Sequence, residues 1–370
     1  MIPVFKPILS GKEKKNLDIC VKDKWFSSNG KFNILLENKF KKIVNRKFAS
    51  SVSNGTVALE LAIRSLNLKP GSEVIVPTFT IISPILAIIR NNLIPVFVDI
   101  DLKNWNINSE AIEKKITKKT KLILLVHTYG FPSNMSKIMY LKKKYKLFLI
   151  EDAAEMHGQF FLNKPCGSFG DLSTFSFYSN KFISCGEGGI ICTDKLNLKK
   201  RLDKLRNLSF GNKNRFKHDE LGYNFRLSNL QASVAYSQIA NINKIVKLKR
   251  KIGKKYNLLF KNNNNIELLP YKNSYSTNIY WVYGVIIKNK MKEKLVDYLK
   301  KKKIETRDFF VGMHNQPILK KLKIIKKKDK FPNSDYLEKN GIYIPSGPDI
   351  KISEIKFVAN AINKFFKNSI

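Results

Sequence analysis

One lysine in this chain stands apart from its many neighbours. The run from Asp171 to Gly189, DLSTFSFYSNKFISCGEGG, sets Lys181 after an apolar strand and just before a glycine turn. Strand side chains wall such a position off from water. Partial desolvation lowers the cost of losing the ammonium charge, so the neutral amine becomes an accessible nucleophile that can form a Schiff base with an aldehyde. A lysine alone says little, because most lysines are solvated surface. The neighbouring segments carry the argument.

Leu147-Phe148-Leu149-Ile150 is a continuous apolar run of the kind a buried parallel strand shows, and it ends in Glu151-Asp152-Ala153-Ala154-Glu155. Asp152 therefore sits at a strand's carboxyl end, the edge where open α/β sheets bind ligands. A carboxylate there can pair with the protonated ring nitrogen of pyridoxal phosphate, which keeps that ring an electron sink. An aspartate capping a following helix accounts for the same residue. Ser53-Asn54-Gly55-Thr56 precede Ala58, Leu59, Ala62, Ile63 and Leu66, which recur at helical spacing. Gly55 and Thr56 thus lie at a helix N-terminus, where free amides and the macrodipole attract phosphate. An ordinary Ser/Thr cap needs no ligand and stays open as the alternative.

The elements that must position these residues alternate in type. Residues 73–76, 94–98, 122–126, 147–150, 174–177 and 189–192 read as strands, with helical stretches between them at 82–91, 109–116 and 136–144. That alternation predicts a three-layer α/β domain. Residues 229–261 read as one long helical passage interrupted at Gly253, carrying the chain out of a large domain (1–245) into a smaller α+β domain (246–370). The latter holds a strand at 281–287 and a last helix at 353–366. Residues 262–265 and the lysine-rich run 320–330 are polar enough to be loop or surface, with no site assigned.

The 370 residues are ample for a large core, and 68 Lys+Arg against 29 Asp+Glu leave a net charge of +39. Such a charge ordinarily raises nucleic acid or an anionic membrane as partners. Here the excess is lysine spread along the whole chain, without an arginine-rich arm, an RNA-binding aromatic signature or zinc-finger spacing, so neither partner is expected. Cys20, Cys166, Cys185 and Cys192 form no Cys-x-x-Cys pair, which predicts reduced thiols and no metal site. No apolar leader core opens the chain and no run is long enough to span a bilayer, so a soluble, cytoplasmic protein is expected.

In this order and spacing the segments resemble the sugar-nucleotide aminotransferases of the DegT/DnrJ type, within the aspartate-aminotransferase superfamily of fold type I. The resemblance runs essentially end to end. It takes in Ile2-Pro3-Val4, residues 25–30 (WFSSNG), 76–80 (VPTFT), 95–101 (PVFVDID) and 126–130 (VHTYG), then Asp152, the Lys181 segment, 218–226 (HDELGYNFR) and Ile344-Pro345-Ser346. It implies a pyridoxal-phosphate enzyme in which Lys181 forms the Schiff base and Asp152 holds the ring nitrogen. Glu155 lies near the phenolic oxygen, and Gly55, Thr56 and Ser176 bind phosphate. Asn224 matches an asparagine that reaches the phosphate from the neighbouring subunit, implying a homodimer with shared active sites. One position departs: Ile81 stands where the family often places an aromatic ring over the cofactor, which gives up a stacking term of roughly 0.5–1.5 kcal/mol.

Within that family, residues 306–310 (TRDFF), His314 and residues 215–224 (RFKHDELGYN) look like the GDP-perosamine synthases. Those enzymes, which serve lipopolysaccharide O-antigen synthesis, move an amino group from glutamate to the 4-keto carbon of GDP-4-keto-6-deoxymannose. In that scheme Arg307 and His314 bind nucleotide or sugar; a surface arginine and a packed histidine are the alternatives. Sister enzymes acting on UDP- or dTDP-linked sugars share most of these segments. Sugar dehydratases of the same fold carry a histidine in place of the Schiff-base lysine, and position 181 here is Lys. A non-catalytic binding or regulatory protein on the same fold is the remaining rival.

Overall fold

A computed structural model describes residues 1–211, 213–326 and 329–368. Seven strands form the main sheet: β1 (Phe48–Val52), β2 (Glu73–Pro77), β3 (Ile94–Val98), β4 (Thr120–Val126), β5 (Phe148–Asp152), β6 (Leu172–Ser176) and β7 (Gly189–Thr193). Their order across the sheet is β1-β7-β6-β5-β4-β2-β3. β7 runs antiparallel to both of its neighbours, and the remaining pairs are parallel.

The strands are apolar on both faces because both faces are covered. Ile75, Ile123, Leu125, Leu149 and Phe175 point to one side and pack with residues of the helices Lys31–Ile43 and Asn229–Ile239. Val74, Val76, Leu122, Leu124 and Ile150 point to the other, against the helices Gly55–Ser65, Ser83–Arg90 and Leu196–Arg206. The parallel arrangement brings the carboxyl ends of β2, β4, β5 and β6 to one edge. The end of β1 joins them, since Val52 pairs with Gly189 and Gly189 with Ser176.

A second, antiparallel sheet comprises β8 (Ile266–Glu267), β9 (Tyr283–Ile287), β10 (Arg307–Asp308) and β11 (Gly341–Ile344), in the order β8-β9-β11-β10. Its core joins Tyr283, Val285, Ile342 and Ile344 to Leu295, Leu299, Val358 and Ile362 from the helices Lys292–Lys301 and Ile352–Lys367.

The helical passage at 229–261 differs from expectation. It consists of two helices, Asn229–Ile239 and Ile242–Leu259, and the second runs unbroken through Gly253. A Cβ at Gly253 would lie 2.3 Å from the Tyr280 ring, so this glycine admits a close-packed ring and does not break the helix. Residues 245 and 246, where the two expected domains meet, fall inside that helix. Its first turns supply Ile242 and Ile245 to the main core, and its later turns supply Ile252 and Tyr256 to the smaller one. The stretch at 109–116 is a single α-turn, Ser109–Ile112, continued as a 3-10 turn to Lys115. Lys320 and Lys321 close a short helix, Pro317–Lys321, and residues 327–328 of the same lysine run lie outside the described residues.

Candidate active site

The residues singled out in the sequence converge on the carboxyl edge of the main sheet. Asp152 is the last residue of β5, and one of its oxygens accepts the Ala154 amide at 3.1 Å. Burial pushes this carboxyl above its ordinary range, with the charge of Lys181 pulling the other way. Three residues on, Glu155 accepts the Tyr129 amide at 2.7 Å and lies 3.7 Å from Lys181 Nζ. Burial raises it to about 7 against the pull of the same lysine. The Lys181 side chain is itself almost fully enclosed, and burial lowers its amine despite Glu155 and Asp152.

The phosphate-binding expectation has a geometric counterpart. Asn54 caps the helix Gly55–Ser65 by accepting the Val57 amide, while the sheet edge closes on the helix start. A Cβ on Gly55 would stand 2.8 Å from Cβ of Ser176, and one on Gly189 would stand 2.6 Å from the Asn54 carbonyl. Only glycine fits between these backbones. The Thr56 and Ser83 hydroxyls are 2.8 Å apart, and Ser176 Oγ accepts the Tyr178 amide at 3.2 Å. Hydroxyls and helix-start amides with no anion of their own thus face one corner. Ile81, two residues before Ser83, is half exposed, at 51 %.

Several residues near the site were missed in the sequence. Trp281 lies with its ring centroid 4.0 Å from Lys181 Nζ and donates its Nε1–H to the Asn180 carbonyl at 3.1 Å. Tyr129 stacks on Trp281 with centroids 6.1 Å apart. His157, buried among Phe40, Phe175 and Phe177, has no hydrogen-bond partner on either ring nitrogen. Burial, then the charge of Lys181, holds its pKa at about 3. Ser83 and Trp281 stood in the sequence as helix and strand residues, and nothing local marked them for chemistry.

Arg307 is exposed on β10 and contacts Glu305 at 3.2 Å. With Tyr178, Asn180, Trp281 and Tyr343 it lines a cavity of about 180 Å³ beside Lys181. His314 does not offer a ring nitrogen to a ligand. Nδ1 is 2.8 Å from Thr78 Oγ1 and Nε2 is 2.7 Å from Asp335, so it ties the segment around Met313 to the end of β2. Asn224 is exposed, bridged to Asn207 on the protein surface.

An enclosed amine, a buried carboxylate with one hydrogen bond and an anion-ready helix start make a donor set that suits a phosphorylated aldehyde with a basic ring nitrogen. The chain belongs to the DegT/DnrJ/EryC1/StrS aminotransferase family, whose sequence profile matches residues 7–363. It is therefore an enzyme of the pyridoxal-phosphate class, with an α/β fold of the aspartate-aminotransferase type. Over 369 residues it is 37% identical to the GDP-perosamine synthase of Escherichia coli O157:H7, covering 99% of each chain. The GDP-perosamine synthase of Vibrio cholerae is 35% identical over 370 residues, again with 99% of each covered. Among solved structures, E. coli GDP-4-keto-6-deoxy-D-mannose-3-dehydratase with bound hydrated PLP superposes with a TM-score of 0.90. It is 26% identical, with 98% of this chain and 99% of that one covered. Among the described residues no helix is long and apolar enough to cross a membrane, and no cluster of ligating side chains suits a metal.

Proposed function

We propose that this enzyme transfers an amino group from L-glutamate to the 4-keto carbon of GDP-4-keto-6-deoxymannose, giving GDP-perosamine in the cytoplasm for a surface polysaccharide such as O-antigen. Relatives that bear the synthase name at 35–37% identity over nearly the whole chain support the substrate. The observation that carries the chemistry is the enclosed Lys181 amine beside Glu155 and the sparsely paired Asp152.

Pyridoxal phosphate, when bound, supplies the electron sink that spreads the developing carbanion charge. Lys181 would hold its aldehyde group through Nζ, and as a free amine would carry the donor's α-proton to the cofactor in the first half-reaction and a proton from the cofactor to the sugar carbon in the second. Asp152 would pair with the ring nitrogen and keep it protonated, a charge worth most in a water-excluded site. Glu155 would orient the phenolic side, and Ile81 would cover the ring with an aliphatic face. Gly55, Thr56 and Ser176 bind the phosphate, joined by Asn224 from a second subunit of a homodimer. Arg307 meets the nucleotide sugar in the cavity it lines, and His314 holds the wall and makes no contact with the ligand. Residues 1–245 and 246–370 act as the two domains on either side of this cleft, linked by their shared helix.

Mass spectrometry of products from GDP-, UDP- and dTDP-linked 4-keto-6-deoxy sugars with glutamate tests the substrate. The GDP sugar should gain the amine fastest, and amination confined to a UDP or dTDP sugar would overturn the assignment. For the dimer, Lys181→Ala and Asn224→Ala homodimers should each be impaired. Their mixture, once subunits exchange, should recover activity towards half the parent value per heterodimer. No recovery in verified heterodimers would mean that both residues serve one chain's site or that Asn224 is merely structural.

A further inference from the structure

Lys181 has unusual surroundings for an ammonium. Its carboxylate neighbour Glu155 stands at 3.7 Å, too far for a short charge-assisted hydrogen bond. The face of Trp281 is at 4.0 Å, inside the range of a strong cation–π contact. That ring is only 5 % exposed and is held by two contacts. Its Nε1–H is tied to the Asn180 carbonyl, next to the lysine itself. Tyr129 stacks on it at 24° between planes, and the amide of Tyr129 is bound by Glu155. The Tyr129 hydroxyl in turn accepts the Phe310 amide at 3.2 Å. Tyr129 therefore touches both Glu155, through its amide, and Trp281, through its ring.

We propose that Trp281 is a positioning residue whose ring face, together with the Glu155 carboxylate, forms a two-sided rest for the Lys181 ammonium whenever that amine is free of cofactor. The proposal rests on Lys181 being the reactive amine. Between proton transfers a long, flexible lysine would otherwise sample many rotamers. The rest keeps Nζ at one place and stabilises its charged form without the short ion pair that would lock the proton there. The other groups facing Nζ are Asp152 from the end of β5, which also favours the ammonium, and His157, which burial keeps neutral. Trp281 also lines the cavity that Arg307 borders, so the rest lies at the substrate's side of the amine.

The test reads Lys181 directly in the full-length chain freed of cofactor. Trace acetylation across the neutral-to-alkaline range, followed by mass spectrometry of the Lys181 peptide, gives the midpoint at which the amine loses its proton. Trp281→Leu should lower that midpoint by about one unit, the size of a partly desolvated cation–π contact, and Trp281→Phe should lower it less. Replacing the tryptophans by fluorinated analogues keeps their shape while draining the ring face of charge, so the midpoint should fall stepwise with fluorine number. This series decides the matter even if Trp281→Leu does not fold. An unmoved midpoint in the fluorinated proteins, or in a folded Trp281→Leu variant, would overturn the proposal. Failure of the underlying reading looks different: Lys181→Ala would still capture pyridoxal phosphate covalently, whatever stood at position 281.

Discussion

At the end of β5, Glu151 accepts amide hydrogens from Gly167, Phe169 and Gly170 and lies beside Arg46 and His127, whereas the next residue, Asp152, accepts one from Ala154. Both side chains are buried, so desolvation acts on both. For Glu151 that cost is outweighed, with His127 and Arg46 holding the carboxyl below its ordinary range. For Asp152 it is not, and the carboxyl is pushed up. Alternating strand residues face opposite sides of a sheet, which is how two adjacent carboxylates come to meet such different partners. The contrast separates scaffold from site. Glu151 is completed by the protein and fixes the loop 167–170, while Asp152 accepts a single hydrogen bond. Both His157 nitrogens and the Asn180 and Thr128 side-chain oxygens are likewise buried without a hydrogen-bond partner.

The largest effect is expected at the completed carboxylate. Glu151→Ala leaves three amides without their acceptor and removes the buried counter-charge 3.7 Å from Arg46, so stability should fall by about 3–5 kcal/mol, read as a lower denaturant midpoint. A Glu151→Ala protein that folds like the parent would erase the contrast from the scaffold side.

Asp152→Ala should behave in the opposite way. Amination should drop by roughly 10²–10³-fold, as when one preorganised electrostatic partner is removed, with no loss of melting temperature, because a buried and sparsely paired carboxylate is costly to keep. Glu155→Ala should cost less activity than Asp152→Ala. Parental activity in Asp152→Ala would erase the contrast from the site side.

The smallest effect concerns pH. Glu155 has a folded pKa of about 7, above the ordinary value of 4.5, so between those values the folded chain holds a proton that the unfolded chain has lost. Its contribution to stability is full below pH 4.5 and is lost as pH rises through about 7, with a slope of up to about 1.4 kcal/mol per unit. Glu155→Gln should flatten that slope in the cofactor-free protein. Glu151, whose carboxyl is lowered, works with the opposite sign, adding stability above the ordinary range and losing it as pH falls through its folded value. An equal slope in parent and Glu155→Gln would assign the raised carboxyl elsewhere.

Much of the sheet, and the meeting of Asp152, Glu155 and Lys181 at its carboxyl edge, were legible because they are written locally. Apolar runs ending in Asp152 and preceding Lys181 report strand ends, and Asn54-Gly55-Thr56 reports a helix start. What was not legible is carried by chain segments far apart. Trp281 reaches the site from 101 residues beyond Asn180, just before a strand that begins at Tyr283, and no local pattern announces that it will meet a lysine. His314 looked ligand-ready until Thr78, 236 residues away, and Asp335 were seen to occupy its ring. Gly253 read as a helix breaker because the Tyr280 ring that needs its missing side chain is distant in sequence.

Borohydride reduction of the purified enzyme with its cofactor, followed by peptide mapping, tests the central assignment most directly. A single stable pyridoxyl group should appear on the peptide containing Lys181, and it should diminish when glutamate is added before the reductant. A pyridoxyl group on a different lysine, or none on any, would contradict the placement of the reactive amine at the edge where Asp152, Glu155 and Trp281 meet.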